Sequence, residues 1–238
     1  MKLTLKLAVL LVVTSVAGGC SNRIGAIKST FEDSLGGSDA LRTAAVVETT
    51  ELPSIFITIN QQNTIFVALA VDEMLPESFD GVGGLTSIQK WLSADGVIII
   101  TQHGQLVATK GLLSDRTRTR FSTSNPFAVG LLNITDGAEF LGELSWQPGN
   151  HEFYPFSARY SLVGEQQLDL VLGSFAVVSY QEVVNIPLIG VNYTNRYWVD
   201  AVTGQILKSE QMITPNGDSI LIEVARPVNA SVAEGVSE

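Results

Sequence analysis

Residues 54–71 read SIFITINQQNTIFVALAV. Ser54 to Ile59 and Thr64 to Val71 are two short runs dominated by β-branched and aromatic residues. Between them stands NQQN, four polar amide residues that suit a turn. Short β-rich runs on either side of a polar turn predict an antiparallel hairpin.

Downstream the same pattern returns. QKWL (89–92), GVIIITQ (96–102) and QLVATKGL (105–112) are punctuated by SADG and HG, which carry turn chemistry. EFLGELSW (139–146) and FSARYSLV (156–163) follow. The run LDLVLGSFAVVSYQEVV (168–184) is too long for one flat strand, and Gly173 is expected to mark a bend or bulge in it. NRYWVD and QILKSEQM flank AVTG, and SILIEVAR closes the series before Pro227. Residues 72–88, with Pro76, Gly81, Gly83 and Gly84, read as a long loop. No internal repeat is visible. Strands at roughly 8 to 12-residue spacing, with few helical patterns between them, predict an all-β, mainly antiparallel architecture. One domain is expected over residues 51–227. A strongly curved sheet, a half-barrel and a sandwich all fit, with one short N-terminal helix added. Trp91 and Trp198 are expected inside the domain. Alternation in NRYWVD sets Arg196, Trp198 and Asp200 on one face and Tyr197 and Val199 on the other.

The chain ahead of this domain is of another kind. Lys2 and Lys6 open it, LAVLLVV (7–13) is uncharged, and Ala17, Gly18 and Gly19 lead into Cys20, the one cysteine. A positive start, a short apolar run and a small-residue exit describe a secretory signal peptide over residues 1–19. A membrane-spanning helix needs about 20 apolar residues, and this run ends too early. Residues 20–50 read as a tether. Within it Ile24, Ile27, Phe31 and Leu35 share one face of a short helix that GGS (36–38) stops. LRTAAVVETTE (41–51) fits either a linker or a first edge strand. Residues 228–238, small and acidic, are expected to be a disordered tail.

The formal net charge is −10, and loss of Lys2 and Lys6 with the signal segment takes it to −12. A domain this acidic is a poor candidate for binding nucleic acid, since a basic face supplies most of such affinity. With 45% hydrophobic and 16% charged residues, the chain is globular.

Motifs for chemistry are sparse. The two histidines, His103 and His151, form no His-x-x-x-His or Glu-x-x-His pair, so no metal site is expected. There is no Gly-x-Ser-x-Gly elbow and no Gly-rich phosphate loop. A Ser-His-Asp triad has no fixed spacing, and His103 in TQHGQ is the best base on offer. Its simpler role is that of a hairpin-turn residue, as Asp95 in SADG is a turn residue capping its own backbone. No catalytic residue and no cofactor is expected. DRTRTRF (115–121) is the one basic cluster, and alternation places Arg116, Arg118 and Arg120 on one strand face. The row suits either a solvated edge strand guarded against aggregation or a contact for an acidic polymer or protein partner.

Cys20 at the segment's exit resembles the lipidated cysteine of bacterial lipoproteins. The blocks LPS…TIFVALAV, KWLSADGVIIITQHGQLV and YWVDAVTGQILKSEQM are together similar to those of the YjbF/GfcB lipoproteins, the group 4 capsule polysaccharide lipoprotein family. That resemblance implies acyl chains, palmitate among them, on Cys20. Several chains would anchor stably where one holds marginally, at ~0.8 kcal/mol per buried methylene. Ser21, where an inner-membrane retention signal would place Asp, favours the outer membrane, facing the periplasm. The implied role is a non-catalytic accessory or assembly factor for capsule or exopolysaccharide export. Its expected partner is an outer-membrane β-barrel or a periplasmic export component. The block YWVD…TG is also similar to hairpins of periplasmic half-barrel carriers. A carrier of a lipid, acyl chain or glycan is therefore the alternative, to be told apart by a ligand-sized cavity.

Overall fold

The computed structural model describes residues 47–48, 50–62, 64–76, 85–122 and 124–228. The signal segment, Cys20, the tether helix and residues 229–238 lie outside the described residues.

Twelve antiparallel strands form one sheet. They are β1 (Ser54–Ile59), β2 (Thr64–Pro76), β3 (Leu85–Leu92), β4 (Ile98–Gln102), β5 (Gln105–Lys110) and β6 (Asp115–Phe121), then β7 (Glu139–Gln147), β8 (His151–Leu170), β9 (Gly173–Ile186), β10 (Val191–Asp200), β11 (Ile206–Met212) and β12 (Ser219–Arg226). The order is β5-β4-β3-β2-β1-β12-β11-β10-β9-β8-β7-β6. Every neighbour is a sequence neighbour except β1 and β12, whose pairing joins the two ends of the meander. The sheet is thus a nearly closed, barrel-shaped meander whose gap falls between β5 and β6.

The hairpin of residues 54–71 forms as expected, with Thr58 opposite Thr64. Asn60 and Gln61 turn it at positive φ, 51° and 58°, the backbone that a tight hairpin turn requires. Register shifts at Leu69/Val71, Leu162/Gly164 and Trp198/Val199 supply bulges that increase local twist and bend the sheet. Within β7 the glycine of EFLGELSW has a packing reason. A Cβ on Gly142 would stand 2.5 Å from both the Arg120 carbonyl oxygen and the Phe156 ring.

Three expectations are corrected. Residues 72–88 are not one long loop: β2 continues to Pro76 and β3 begins at Leu85, with Val71 opposite Lys90 and Pro76 opposite Leu85. Polar cross-strand contacts, Lys90 to Glu73 at 2.7 Å and Ser87 to Asp72, join this ribbon. Its strands therefore lack the apolar alternation by which strands are recognised. Gly173 marks neither a bend nor a bulge. Residues 168–184 are two strands around a Val171–Leu172 turn, and the turn hides in the sequence because Val171 is apolar and packs on the sheet. Residues 47–48 are helical, with Val47 buried, so this part of residues 41–51 is neither strand nor open linker.

Alternation splits the inner face into two apolar clusters. One gathers Phe121, Leu144, Phe156, Tyr160, Val184 and Tyr197 from β6 to β10, with Phe127 of a one-turn helix, α1 (Pro126–Val129). Asn125 caps α1 by accepting from the Phe127 N–H at 2.9 Å. The other gathers Ile57, Val67, Trp91, Ile99, Leu106 and Ile220. A third, on the outer side, packs Val47, Leu52 and Val171 over Phe56, Phe66 and Ala225. This is why β1 is buried on both faces. Val228, the first residue of the expected tail, packs against the second cluster.

Candidate functional site

Alternation along β8 to β11 puts polar side chains on the inner face among the aromatic ones. Such groups are tolerated inside only when hydrogen-bonded. Glu182 of β9, 2% exposed, is the centre. Its Oε1 accepts from the Tyr160 hydroxyl at 2.6 Å, and its Oε2 accepts from the Tyr197 hydroxyl and from Asn195 Nδ2, each at 2.7 Å. Asn195 Oδ1 accepts from the Met212 N–H at 2.8 Å, and Gln211 Oε1 accepts from the Leu106 N–H at 3.0 Å. Arg116 of β6, 3% exposed, completes the seam. Its Nε donates to the Ile213 carbonyl at 3.0 Å, its Nη1 to that of Leu106 at 2.9 Å, and its Nη2 to that of Met212. These bonds span the gap of the sheet. Thr109 and Asp115 add to them, since the Thr109 hydroxyl donates to Asp115 Oδ1 at 2.8 Å and accepts from the Arg116 N–H at 3.0 Å.

The predicted arginine row therefore breaks up. A register shift between Arg116 and Arg118 inverts the phase of alternation, sending Arg116 inward and leaving Arg118 exposed. Arg118 lies over the Phe153 ring at 5.8 Å, and Arg120 is half-buried. β6 ends the sheet, yet its open side faces β5 and not solvent.

Burial pushes the Tyr160 and Tyr197 hydroxyls well above the ordinary tyrosine range, and the Glu182 charge pushes them further. Burial also raises Tyr193, to about 12, against the opposing charge of Arg116. A group whose folded pKa is raised contributes stability that is complete below its unfolded value, here 10.0, and is lost as pH climbs to the folded value. Stability to urea is therefore expected to fall between about pH 10 and 12, with phenolate absorbance from these residues appearing only as the chain unfolds. Ionisation of all the tyrosines near pH 10 in the folded protein would contradict it.

As a chemical device the seam is static. A carboxylate held by three donors and closed to solvent is fixed in place and out of a substrate's reach. His103 is exposed in the β4–β5 turn at φ 49°, its Nε2 2.8 Å from the Thr86 hydroxyl oxygen. His151 stacks on Trp146 in the β7–β8 hairpin, ring centres 4.5 Å apart. The two histidines thus sit in separate turns. Among the described residues no group of three or more His, Cys, Asp or Glu is placed to hold a metal ion. Asp95 is a turn residue, although it accepts from the Ser93 hydroxyl and the backbone N–H of Val97 is met by Ser93 Oγ at 2.9 Å. Trp91 is buried and donates its Nε1–H to Thr101 at 2.8 Å. Trp198 lies half-buried on the outer face with Lys208 Nζ 5.4 Å from its ring, so the expectation that it faces the core is corrected. The alternation that sets Tyr197 and Val199 inward is the reason.

A cavity of about 290 Å3 opens beside the His103–Gly104 turn. Its apolar wall is Ile55, Trp91, Leu207, Ile222 and Val224; Gln89, Thr101 and Ser209 add polar groups, and Thr203–Gln205 and Arg226 border it. Its members come from strands at opposite ends of the chain, and alternation alone does not pick them out.

The family described as group 4 capsule polysaccharide lipoprotein gfcB, YjbF matches residues 25–224. The uncharacterized lipoprotein GfcB of Escherichia coli is 26% identical over 198 residues, 82% of this chain and 86% of that one. The uncharacterized lipoprotein YjbF of the same organism is 24% identical, over 88% and 92%. The crystal structure of the hypothetical lipoprotein YmcC from Escherichia coli shares the fold, with a TM-score of 0.70 at 23% identity over 85% of this chain and 94% of that one. A match over most of the length, with the same barrel-like sheet, leads to one conclusion: the chain belongs to the group 4 capsule polysaccharide lipoprotein family of GfcB and YjbF.

Proposed function

We propose that the protein is an outer-membrane lipoprotein, held by acyl chains on Cys20 and facing the periplasm. In this reading it serves capsule or exopolysaccharide export as a non-catalytic accessory or assembly factor. The observation that carries the reading is the family match over residues 25–224, directly behind a segment with the form of a lipoprotein signal. The buried, hydrogen-bonded carboxylate of the seam and the separated histidines support a non-catalytic role. Contacts for an export partner are available in Arg118, and in Leu162 and Val163, which stand exposed side by side on β8. Arg116 is not among them, since its guanidinium is spent inside.

Deleting the gene is expected to reduce surface polysaccharide, and Cys20→Ser to leave the protein unprocessed or unanchored and the defect unrescued. His103→Ala in the anchored protein is expected to retain secretion. Lost secretion in a His103→Ala protein that still folds and localises would overturn the non-catalytic reading. An unmodified Cys20 in the mature protein, seen by mass spectrometry, would remove the anchor.

The carrier reading draws support from the cavity. Its mixed lining suits a saccharide better than an acyl chain, which would leave Gln89, Thr101 and Ser209 facing hydrocarbon.

A further inference from the structure

We infer that the cavity beside the β4–β5 turn is a binding site for an acidic sugar residue, one carrying a carboxylate, with Arg226 as its charge contact. The inference deepens the export reading and rests on it for the choice of a saccharide.

Charge is the first observation. The protein holds 24 Asp and Glu against 14 Lys and Arg, yet no Asp or Glu lines this cavity. Lys208 and Arg226 both do. The Lys208 ammonium is already paired with Glu223 at 3.1 Å, so Arg226 is the cation left to the site.

Arg226 supplies the second, independent observation. Its Nη2 donates to the Val47 carbonyl at 3.0 Å, while its Nε is buried and has no acceptor. That Nε has no surface open to the cavity, so the contact falls to Nη1, which has no hydrogen-bond partner among the described residues; a carboxylate is the acceptor that best pairs with a guanidinium N–H.

The rest of the lining matches the rest of a sugar. Ser209 Oγ accepts from Gln211 Nε2 at 2.9 Å and keeps its own O–H to donate. Gln89 accepts from the Thr101 hydroxyl at 3.2 Å through its carbonyl, which leaves its amide N–H groups to meet hydroxyl oxygens. Trp91 and the aliphatic residues give the apolar wall against which a ring's C–H face packs. A volume of about 290 Å3 lies at the small end of ligand sites and holds a terminal unit, not a chain in passage.

The test uses the mature lipoprotein in detergent, titrated by calorimetry with glucuronic acid, glucose and inorganic phosphate. Glucuronic acid is expected to bind, and glucose and phosphate to bind about tenfold more weakly or not at all. Arg226→Met is expected to lower glucuronic acid affinity about tenfold. Because that variant also loses the Val47 contact, Val224→Phe, which fills the cavity from a half-buried apolar position, is the second variant and is expected to abolish binding in a protein that still unfolds cooperatively. Equal binding of glucose overturns the charge assignment, and equal binding of phosphate overturns the saccharide. Binding that survives Val224→Phe places the site elsewhere, and no binding at millimolar ligand refutes it outright. If deletion of the gene still reduces surface polysaccharide while nothing binds, only the site fails. If glucuronic acid binds and deletion has no effect on polysaccharide, it is the export reading that fails.

Discussion

Arg116→Met is expected to destabilise the protein by about 3–5 kcal/mol, the largest effect of any single side chain outside the apolar clusters. Methionine keeps the aliphatic stem but has no donor. The carbonyls of Leu106, Met212 and Ile213 would then lose a guanidinium partner together, at the place where the sheet fails to close by its own ladder. Buried carbonyls without donors are costly, and these three also join β5, β6 and the end of β11. Urea unfolding of Arg116→Met beside Arg118→Met is the measurement. Arg118 is exposed two residues along the same strand, so its replacement should change stability by no more than about 0.5 kcal/mol. Equal midpoints for the two variants would show that the gap is held by something other than Arg116.

Glu182→Leu should cost nearly as much, about 3–4 kcal/mol, and for the opposite reason. Here the acceptor disappears and three donors, the hydroxyls of Tyr160 and Tyr197 and the amide of Asn195, remain buried. Adding Tyr160→Phe and Tyr197→Phe to Glu182→Leu removes two orphaned donors at little change of shape and should recover part of the loss. Additive losses in that series would mean the three groups do not act as one network. The tyrosines also report directly. Without the Glu182 charge their ionisation should move down toward the ordinary value while staying above it, because burial, the larger cause, remains.

Local chemistry carried much of the fold. Ser54–Ile59 and Thr64–Val71 around NQQN, His103–Gly104 and AVTG each contain their own strand propensity and turn residues, so each hairpin is written where it forms. Reading failed where tertiary contact replaces a local signal. The Val171–Leu172 turn carries no turn residue, and the polar ribbon of β2 and β3 carries no apolar alternation.

The sequence by itself determined an antiparallel β protein, the setting of Tyr197 and Val199 on the face opposite Trp198, the turn roles of His103 and Asp95, and the resemblance that names the family. Side-chain alternation and turn chemistry are properties of neighbouring residues, and a linear string displays them. Only the tertiary structure decided that Arg116 points inward, because one bulge inverts a period of two. It alone decided that Glu182 meets Tyr160, Tyr197 and Asn195, and that Arg226 of the last strand shares a cavity with Trp91 of the third. Those partners are brought together by the joining of β1 to β12 and the curling of β5 against β6, and closure is a property of the whole chain.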